Sequence, residues 1–488
     1  MTGRFDADLI IIGMGSAGMT AAEIAIGLGL RTVAVERARV GGDCLWTGCV
    51  PSKALIAAAG AARAMRTAGT FGLTPTDPDV DLTSVWRRVR AVREEIAAGD
   101  DDPARFVAMG LDLRQGSASL SGPNSVRIED ADGRATTVTA RRILLCTGGS
   151  PTVPPIPGLR EVGYVTNESF FEMQDVPRRL LFLGGGPIAL ELAQACAQLG
   201  VTCTILQRGD RVLPRDEPEL TDQLLGVLRD EGVEVCTGVD VVRIEPGPTV
   251  IGVVEGVERR WPTDRVVLSA GRTVDTSSLG LDEAGVADDG DGVVVDERGR
   301  TSVPTIYAAG DVTGRDLFTH AAAHEAAVAV RDAFFPGRGR RRVTVPWATF
   351  TEPALAHAGL TVEDARKRYG RRVRVHRWSL EHNDRAHADA ARGAIVLIER
   401  RGLLRSRLVG AHVLAPGAGE LINELVLAIE RRMCVADLGG VVHVYPTVAT
   451  SVQQLGARAA LERAQRYRWL SIWARMPWTR RTRGRGTG

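Results

Sequence analysis

Two cysteines carry the clearest chemical promise in this chain. Cys44 and Cys49 lie five positions apart in Val40-Gly-Gly-Asp-Cys44-Leu-Trp-Thr-Gly-Cys49-Val-Pro51-Ser-Lys53, at the start of a predicted helix. Gly48 and Pro51 interrupt regular helical hydrogen bonding, so the sulfurs can approach for reversible disulfide closure, and a helix N-terminus stabilises a thiolate. The same pair could be half of a zinc site or two buried structural thiols. No second Cys or His pair stands at metal-ligand spacing, so no metal is expected. Of the seven cysteines, Cys146, Cys196, Cys203, Cys236 and Cys434 read as core residues. An odd and scattered set does not make a secreted disulfide framework, and it predicts a reducing, cytoplasmic setting.

The elements that must position this pair repeat along the chain. Residues 9–12 read as a buried strand, Gly13-Met-Gly15-Ser-Ala-Gly18 as a tight turn opening an Ala-rich helix, and residues 31–36 as a second strand ending at Glu36. Gly13 permits the turn, Gly15 lets a pyrophosphate approach the helix N-terminus, Gly18 lets helix and strand pack closely, and Glu36 can accept from a ribose hydroxyl. A second copy runs through residues 180–183, Gly184-Gly-Gly186-Pro-Ile-Ala189 and residues 201–206, with Gly184 lying 171 positions after Gly13. Two dinucleotide-binding units imply two dinucleotides and electron transfer between them. The second copy ends on Gln207-Arg208, with Arg211 and Arg215 nearby. A carboxylate there would repel a 2'-phosphate and Arg can hold one, so NADPH is favoured, with NADH still open. Outside Arg208, these arginines could equally be surface charges.

Composition sets the outer limits. The chain has 488 residues, 44% hydrophobic and 25% charged, in the range of a multi-domain globular protein. Its 61 Lys and Arg against 59 Asp and Glu leave +2, too little for a nucleic-acid-binding field. No signal-peptide h-region opens the chain, and no run of ~18 apolar residues predicts a membrane span. Only Lys53 and Lys367 are lysines, which makes Lys53 beside the cysteine pair hard to ascribe to chance.

From Asp6 to about Gly456 the chain resembles the pyridine nucleotide-disulfide oxidoreductases, the flavoprotein family of lipoamide dehydrogenase, glutathione reductase and mercuric reductase. The resemblance rests on the Gly-Gly-x-Cys-x4-Cys-x-Pro-x-Lys run. It implies that Cys44 is the interchange thiol facing substrate, that Cys49 contacts the FAD ring, and that Lys53 lies near the flavin. Thr147-Gly148 and Gly271-Arg272 resemble the two crossings between nucleotide-binding domains. Gly310-Asp311 resembles the second flavin motif, implying that Asp311 accepts from the FAD ribityl chain with Thr319 and His320 near the ring. Ala189, Glu191 and Gly271 join the nucleotide-contacting candidates. The implied fold is α/β: an FAD domain (1–150 and 273–336), an NADP domain (151–272), both Rossmann-like, and an α+β interface domain (345–460) that makes a homodimer.

The resemblance breaks near its end. Where disulfide reductases carry a His-Pro-Thr run with a Glu five residues after the His, this chain has His443-Val-Tyr445-Pro446-Thr447-Val-Ala-Thr450. Tyr445 replaces the base and Thr450 its orienting acid. An ordinary Tyr titrates near ~10 and His near ~6.5, so Tyr445 is no neutral-pH base. His443 could turn in as a base or serve packing and backbone bonding. Mercuric reductases also carry Tyr here, but their terminal cysteine pair has no counterpart after Cys434.

Three functions fit: NADPH-dependent reduction of a disulfide or reactive electrophile, with dihydrolipoyl dehydrogenase-like activity related to it; Hg(II) reduction by the same couple; or a flavin-bearing protein acting at a membrane surface. The last rests on residues 461–488, which interleave three Trp with eight Arg and one Glu. That segment carries +7, so the rest of the chain carries +2 minus +7, or -5.

Overall fold

In the computed structural model, which describes residues 5–336, 343–402 and 405–465, the first apolar run forms β1 (Ala7–Ile12). The Gly-rich turn leads from it into α1 (Ser16–Gly27), whose Ala17, Ala21, Ala22 and Ala25 are buried, and the chain returns as β2 (Thr32–Glu36). The cysteine motif supplies α2 (Gly42–Trp46) and α3 (Cys49–Thr67). Next come α4 (Leu82–Ala97) and α5 (Pro103–Ala108), capped by the side chains of Asp81 and Asp102, which accept from the Thr83 and Ala104 amides. β3 (Asp112–Gln115), β4 (Ser117–Gly122), β5 (Ser125–Glu129) and β6 (Ala135–Leu145) complete the first sheet, in the order β3-β2-β1-β6-β5-β4.

β1 pairs in parallel with β2 (Leu9 opposite Thr32) and with the second half of β6 (Leu9 opposite Arg142), whereas the first half of β6 pairs antiparallel with β5. Parallel strands covered on both faces need apolar side chains throughout, which is why residues 9–12 show no polar alternation.

A second parallel sheet follows from β7 (Tyr164–Val165), β8 (Arg179–Leu183), α6 (Pro187–Gln198), β9 (Thr202–Leu206), β10 (Glu234–Cys236) and β11 (Arg265–Leu268), ordered β10-β9-β8-β11-β7. An antiparallel three-stranded meander spans residues 240–262. The chain then returns to the first sheet, where β12 (Ile306–Ala308) pairs with β6, and continues into α7 (Thr319–Phe334). Both crossings meet in a short ribbon, with Pro151 opposite Arg272 and Ser150 opposite Thr273.

These elements form one compact unit, residues 1–213 with 227–345. One helical stretch in it, Gly42–Phe71, is long and apolar enough to cross a membrane by length and composition alone. No such span was expected from the sequence. Its apolar character comes from the alanines that pack α3 on α4 and α6.

The second unit, residues 214–226 with 346–488, is built on the antiparallel sheet β13 (Trp347–Thr349), β14 (Ala354–Gly359), β15 (Val373–Ser379), β16 (Ala394–Arg400) and β17 (Arg407–Ala415), in the order β13-β14-β17-β16-β15. α8 (Ala418–Glu430) and α9 (Thr450–Gln465) cover it. Residues 214–226, expected within the NADP-binding stretch, belong to this unit: Trp347 Nε1 donates to Asp216, and Arg215 lies over the Trp347 ring at 4.6 Å. Arg215 is therefore engaged elsewhere than at a 2'-phosphate.

Candidate active site

The first Gly-rich loop is shaped by what its glycines lack. Gly13 has φ +96°, and a Cβ on it would stand 2.4 Å from the Cys146 carbonyl; one on Gly18 would stand 1.9 Å from the Gly13 carbonyl. At Gly15, the residue before α1, nothing comes closer to that position than Gly42 Cα at 3.8 Å. The second loop repeats the pattern: Gly184 has φ +115° and a Cβ on it would stand 2.3 Å from the Ser269 carbonyl, Ala189 is buried, and no atom lies within 4 Å of a Cβ on Gly186. The tight positions are close-packed and the phosphate-facing ones are open, which is the cradle a dinucleotide requires.

The copies also share a clasp. Glu36 accepts from the Met14 amide at 2.7 Å and the Ala38 amide at 2.7 Å; 171 positions on, Gln207 accepts from the Gly185 amide at 2.9 Å. The second copy thus keeps the bond and discards the charge, and Arg208 beside it is exposed.

Around the crossings, Arg272 gathers groups distant in sequence. Its Nε donates to Asp311 Oδ2 at 3.0 Å, and its Nη2 to the Gly149 carbonyl at 2.7 Å and to Asp43. Burial pushes the Asp311 carboxyl up while Arg272 opposes it, and Oδ1 accepts nothing from the described residues. That oxygen suits a hydroxyl-bearing ligand, so the first loop and Asp311 together fit FAD. Thr147 and Gly148 (φ +73°) lie just after β6, and Gly271 (φ +113°) accepts from the Thr152 amide. Asp43 and Arg272 had no role in the sequence reading, although both stand inside its motifs.

The thiols meet where α2 hands over to α3. Trp46 is held between Arg39 and Arg93, at 4.6 and 5.5 Å from the ring centre, and its Nε1 donates to the Val40 carbonyl. Cys49 opens α3, exposed and with Sγ 3.5 Å from Thr319 Oγ1; Cys44 is half-buried, and both are free thiols. The hydrogen bond from Cys44, helped by Thr319 and the nearby Lys53 ammonium, brings Cys49 down to about 6 against the cost of burial. Cys44, which gives that bond and is itself withdrawn from water, is pushed far up. The pair therefore holds one proton at neutral pH, on Cys44.

One turn along α3, Lys53 Nζ donates to Glu191 of α6 at 2.8 Å; the Glu191 side chain is 8% exposed. His320, next to Thr319, stacks on Phe318 with ring centres 5.6 Å apart. A cleft of about 510 Å³ opens onto this region, and Cys44 lines it while Cys49 does not. Among the described residues no group of three or more His, Cys, Asp or Glu is placed to hold a metal.

Comparisons with known proteins agree with this geometry. Residues 7–332 match the family described as pyridine nucleotide-disulphide oxidoreductase, and residues 345–455 match its dimerisation domain. The chain belongs to that family. A mercuric reductase of Streptomyces lividans is 35% identical over 91% of this chain and 94% of its own length, and a glutathione reductase of Burkholderia cepacia 34% over 91% and 97%. Among solved structures, the Cu(II) complex of the HOCl-induced flavoprotein disulfide reductase RclA from Escherichia coli superposes with a TM-score of 0.81, at 26% identity over 92% of this chain and 99% of that one.

The second unit of this oxidoreductase holds His443, Tyr445 and Thr450. His443 Nε2 lies 3.0 Å from Glu424 Oε1 and Nδ1 lies 3.0 Å from the Val441 carbonyl, with the side chain only 6% exposed. Both ring nitrogens have partners within the unit, the arrangement expected of the packing and backbone-bonding alternative. Tyr445 is exposed and donates to Asp384 at 2.7 Å; that carboxylate pushes the phenol further above its ordinary range. Thr450 donates to the Thr447 carbonyl and accepts from Asn383. Asp384 and Glu424 escaped the sequence reading because they lie 61 and 19 positions from their partners. Of the basic aromatic tail, residues 466–488 lie outside the described residues.

Proposed function

We propose that this oxidoreductase passes electrons from NADPH through FAD to a Cys44–Cys49 disulfide, and from the resulting dithiol to a disulfide or another thiol-reactive electrophile, working as a homodimer. The observation that carries the reading is the division of labour between the two sulfurs: Cys44 lines the open cleft, while Cys49 sits at the helix N-terminus as the favoured thiolate. FAD, when bound along the first Gly-rich loop and Asp311, supplies the chemistry that accepts the nicotinamide hydride and gives its electron pair to sulfur. The disulfide takes up two electrons and one proton, leaving a thiol on Cys44 and a thiolate on Cys49. Neutral Gln207 with exposed Arg208 supports NADPH over NADH.

Hydrogen-bonded to Cys44 and favoured as a thiolate, Cys49 itself serves as the base for Cys44 in this reading. As Cys44 attacks the acceptor disulfide R-S-S-R, its proton moves along the existing hydrogen bond to Cys49. A Cys44-S-S-R bond forms, the acceptor S-S bond breaks, and RS⁻ leaves to be protonated by solvent. Cys49, favoured as a thiolate above pH of about 6, loses the proton to water and attacks Cys44 Sγ, releasing the second RS⁻ and restoring the protein disulfide. The sum is NADPH, H⁺ and RSSR giving NADP⁺ and two RSH. Hg(II) reduction by the same couple is a second reading, favoured by Tyr445 and the mercuric reductase relatives.

Steady-state turnover tests the reading. NADPH should exceed NADH in kcat/KM at least about tenfold, and disulfide reduction should vanish in Cys44→Ser. Equal use of both nucleotides would remove the Gln207–Arg208 argument, and turnover surviving Cys44→Ser would remove the dithiol route.

A further inference from the structure

The cleft that Cys44 lines has an uneven wall. Its apolar part comes from Met19, Leu45, Val50 and Phe106. Its charged part comes from Glu23 on α1, Asp100 and Asp101 on the turn between α4 and α5, and Arg105 on α5: three carboxylates against one guanidinium. Arg105 is spoken for, since its Nη1 donates to Glu23 Oε1 at 2.8 Å and to the Asp100 carbonyl at 2.8 Å. Asp101 is only partly exposed; its burial first, and then the neighbouring charges of Asp100 and Glu23, push its carboxyl up, with Arg105 opposing them. An anionic acceptor would meet this wall as repulsion on its way to the thiol. A volume of about 510 Å³ suits a small organic molecule and would be left unfilled by a bare ion.

Resting on the dithiol reading above, we infer that the acceptor is an organic disulfide bearing ammonium groups, whose cationic arm lies against Asp100 and Asp101 while its sulfur meets Cys44. The attack is the exchange already described: Cys44 Sγ bonds to one acceptor sulfur, the amine-bearing thiolate leaves, and the electrons come from the reduced dithiol. The apolar floor receives the methylene arm.

A readout independent of turnover is the labelling rate of Cys44 in the FAD-loaded Cys49→Ser protein, which traps the mixed disulfide. Trimethylammonioethyl and sulfonatoethyl methanethiosulfonate carry the same leaving group, so their rate ratio, normalised to a free thiol, cancels the thiolate fraction and reports charge alone. The cation should react about tenfold faster at low salt, the ratio falling towards one at high salt. Asp100→Asn with Asp101→Asn should cut the ratio severalfold, and Asp101→Lys should invert it. In turnover by the unmodified enzyme, cystamine should exceed glutathione disulfide in kcat/KM. A labelling ratio at or below one, or one unmoved by the Asp variants, would overturn the inference and leave the dithiol reading intact if neutral hydroxyethyl disulfide is still reduced. Failure to reduce any disulfide would overturn both.

Discussion

Cys44 and Cys49 meet at the N-terminus of a 19-residue helix, beside an ammonium group and on the edge of an open cleft. In the same compact unit Cys196 and Cys203 also meet, but Cys196 sits in the last turn of α6, Cys203 lies on β9, and both are fully buried. Sulfur-sulfur contact is common to the two pairs and their surroundings are opposite. The first has a helix terminus that favours negative charge, the Thr319 hydroxyl, and Lys53. The second has the carbonyl end of a helix and no exposure to solvent; its shared hydrogen bond and burial push Cys203 well above the ordinary thiol range. Redox readiness is thus a property of the element that presents the sulfur rather than of the pair. The sequence reading, which set Cys196 and Cys203 aside as core residues, could separate the pairs because helix position and the Gly, Pro and Lys neighbours are local signals.

The contrast predicts its largest effect in turnover. Cys44→Ser should lower disulfide reduction by at least about 10³-fold, whereas Cys196→Ser should leave it within about twofold, both followed by NADPH oxidation. Thiol labelling sharpens the point. In the reduced native protein iodoacetamide should modify Cys49 at least about 100-fold faster than Cys203 at pH 7, read by peptide mass spectrometry. Because Cys49 is held below its ordinary value, its labelling should fall as pH drops through about 6.

A smaller effect attaches to Lys53→Met. Losing the ammonium should move the Cys49 midpoint upward and remove the ion pair to buried Glu191, costing about 2 kcal/mol in denaturant unfolding. That is below the cost for a fully buried pair, since the Lys53 side chain is 36% exposed. The smallest expectation concerns the altered base position. Tyr445→Phe removes one exposed hydrogen bond and should change kcat by less than about twofold. With no protein acid for the leaving thiolate, aryl disulfides, whose thiols have low pKa values, should be reduced faster than alkyl ones.

Much of the fold was legible because its signals are short-range. Gly13, Gly15 and Gly18 read correctly as a turn opening a helix: Gly18 answers a steric demand from its own loop, Gly13 one from the chain just after the adjoining strand, and Gly15 leaves its side of the loop open. The same holds for the parallel strands, whose unbroken apolar runs name their burial. What could not be read is what long loops bring together. Arg272 reaches Asp43 across 229 positions and Asp311 across 39, and no periodicity records such a contact. The Glu36–Gln207 parallel lay between the two cases. The positions were visible as the ends of strands, but their shared role as clasps on Met14 and Gly185 needed coordinates. The acidic wall of the cleft was present as the run Asp100-Asp-Asp102 and passed unnoticed because its meaning depends on α1 and Cys44 lying across from it.

The central claim is that Cys49 is the flavin-side thiolate and Cys44 the acceptor-side thiol. It is tested most directly by anaerobic two-electron reduction of the FAD-loaded protein, with long-wavelength thiolate-to-flavin absorbance followed across pH. A band should appear with a midpoint of about 6 on two-electron reduction of the native protein, be present in Cys44→Ser while its flavin is still oxidised and before reductant is added, and be absent from Cys49→Ser. Absence of the band, or its survival in Cys49→Ser, would contradict it.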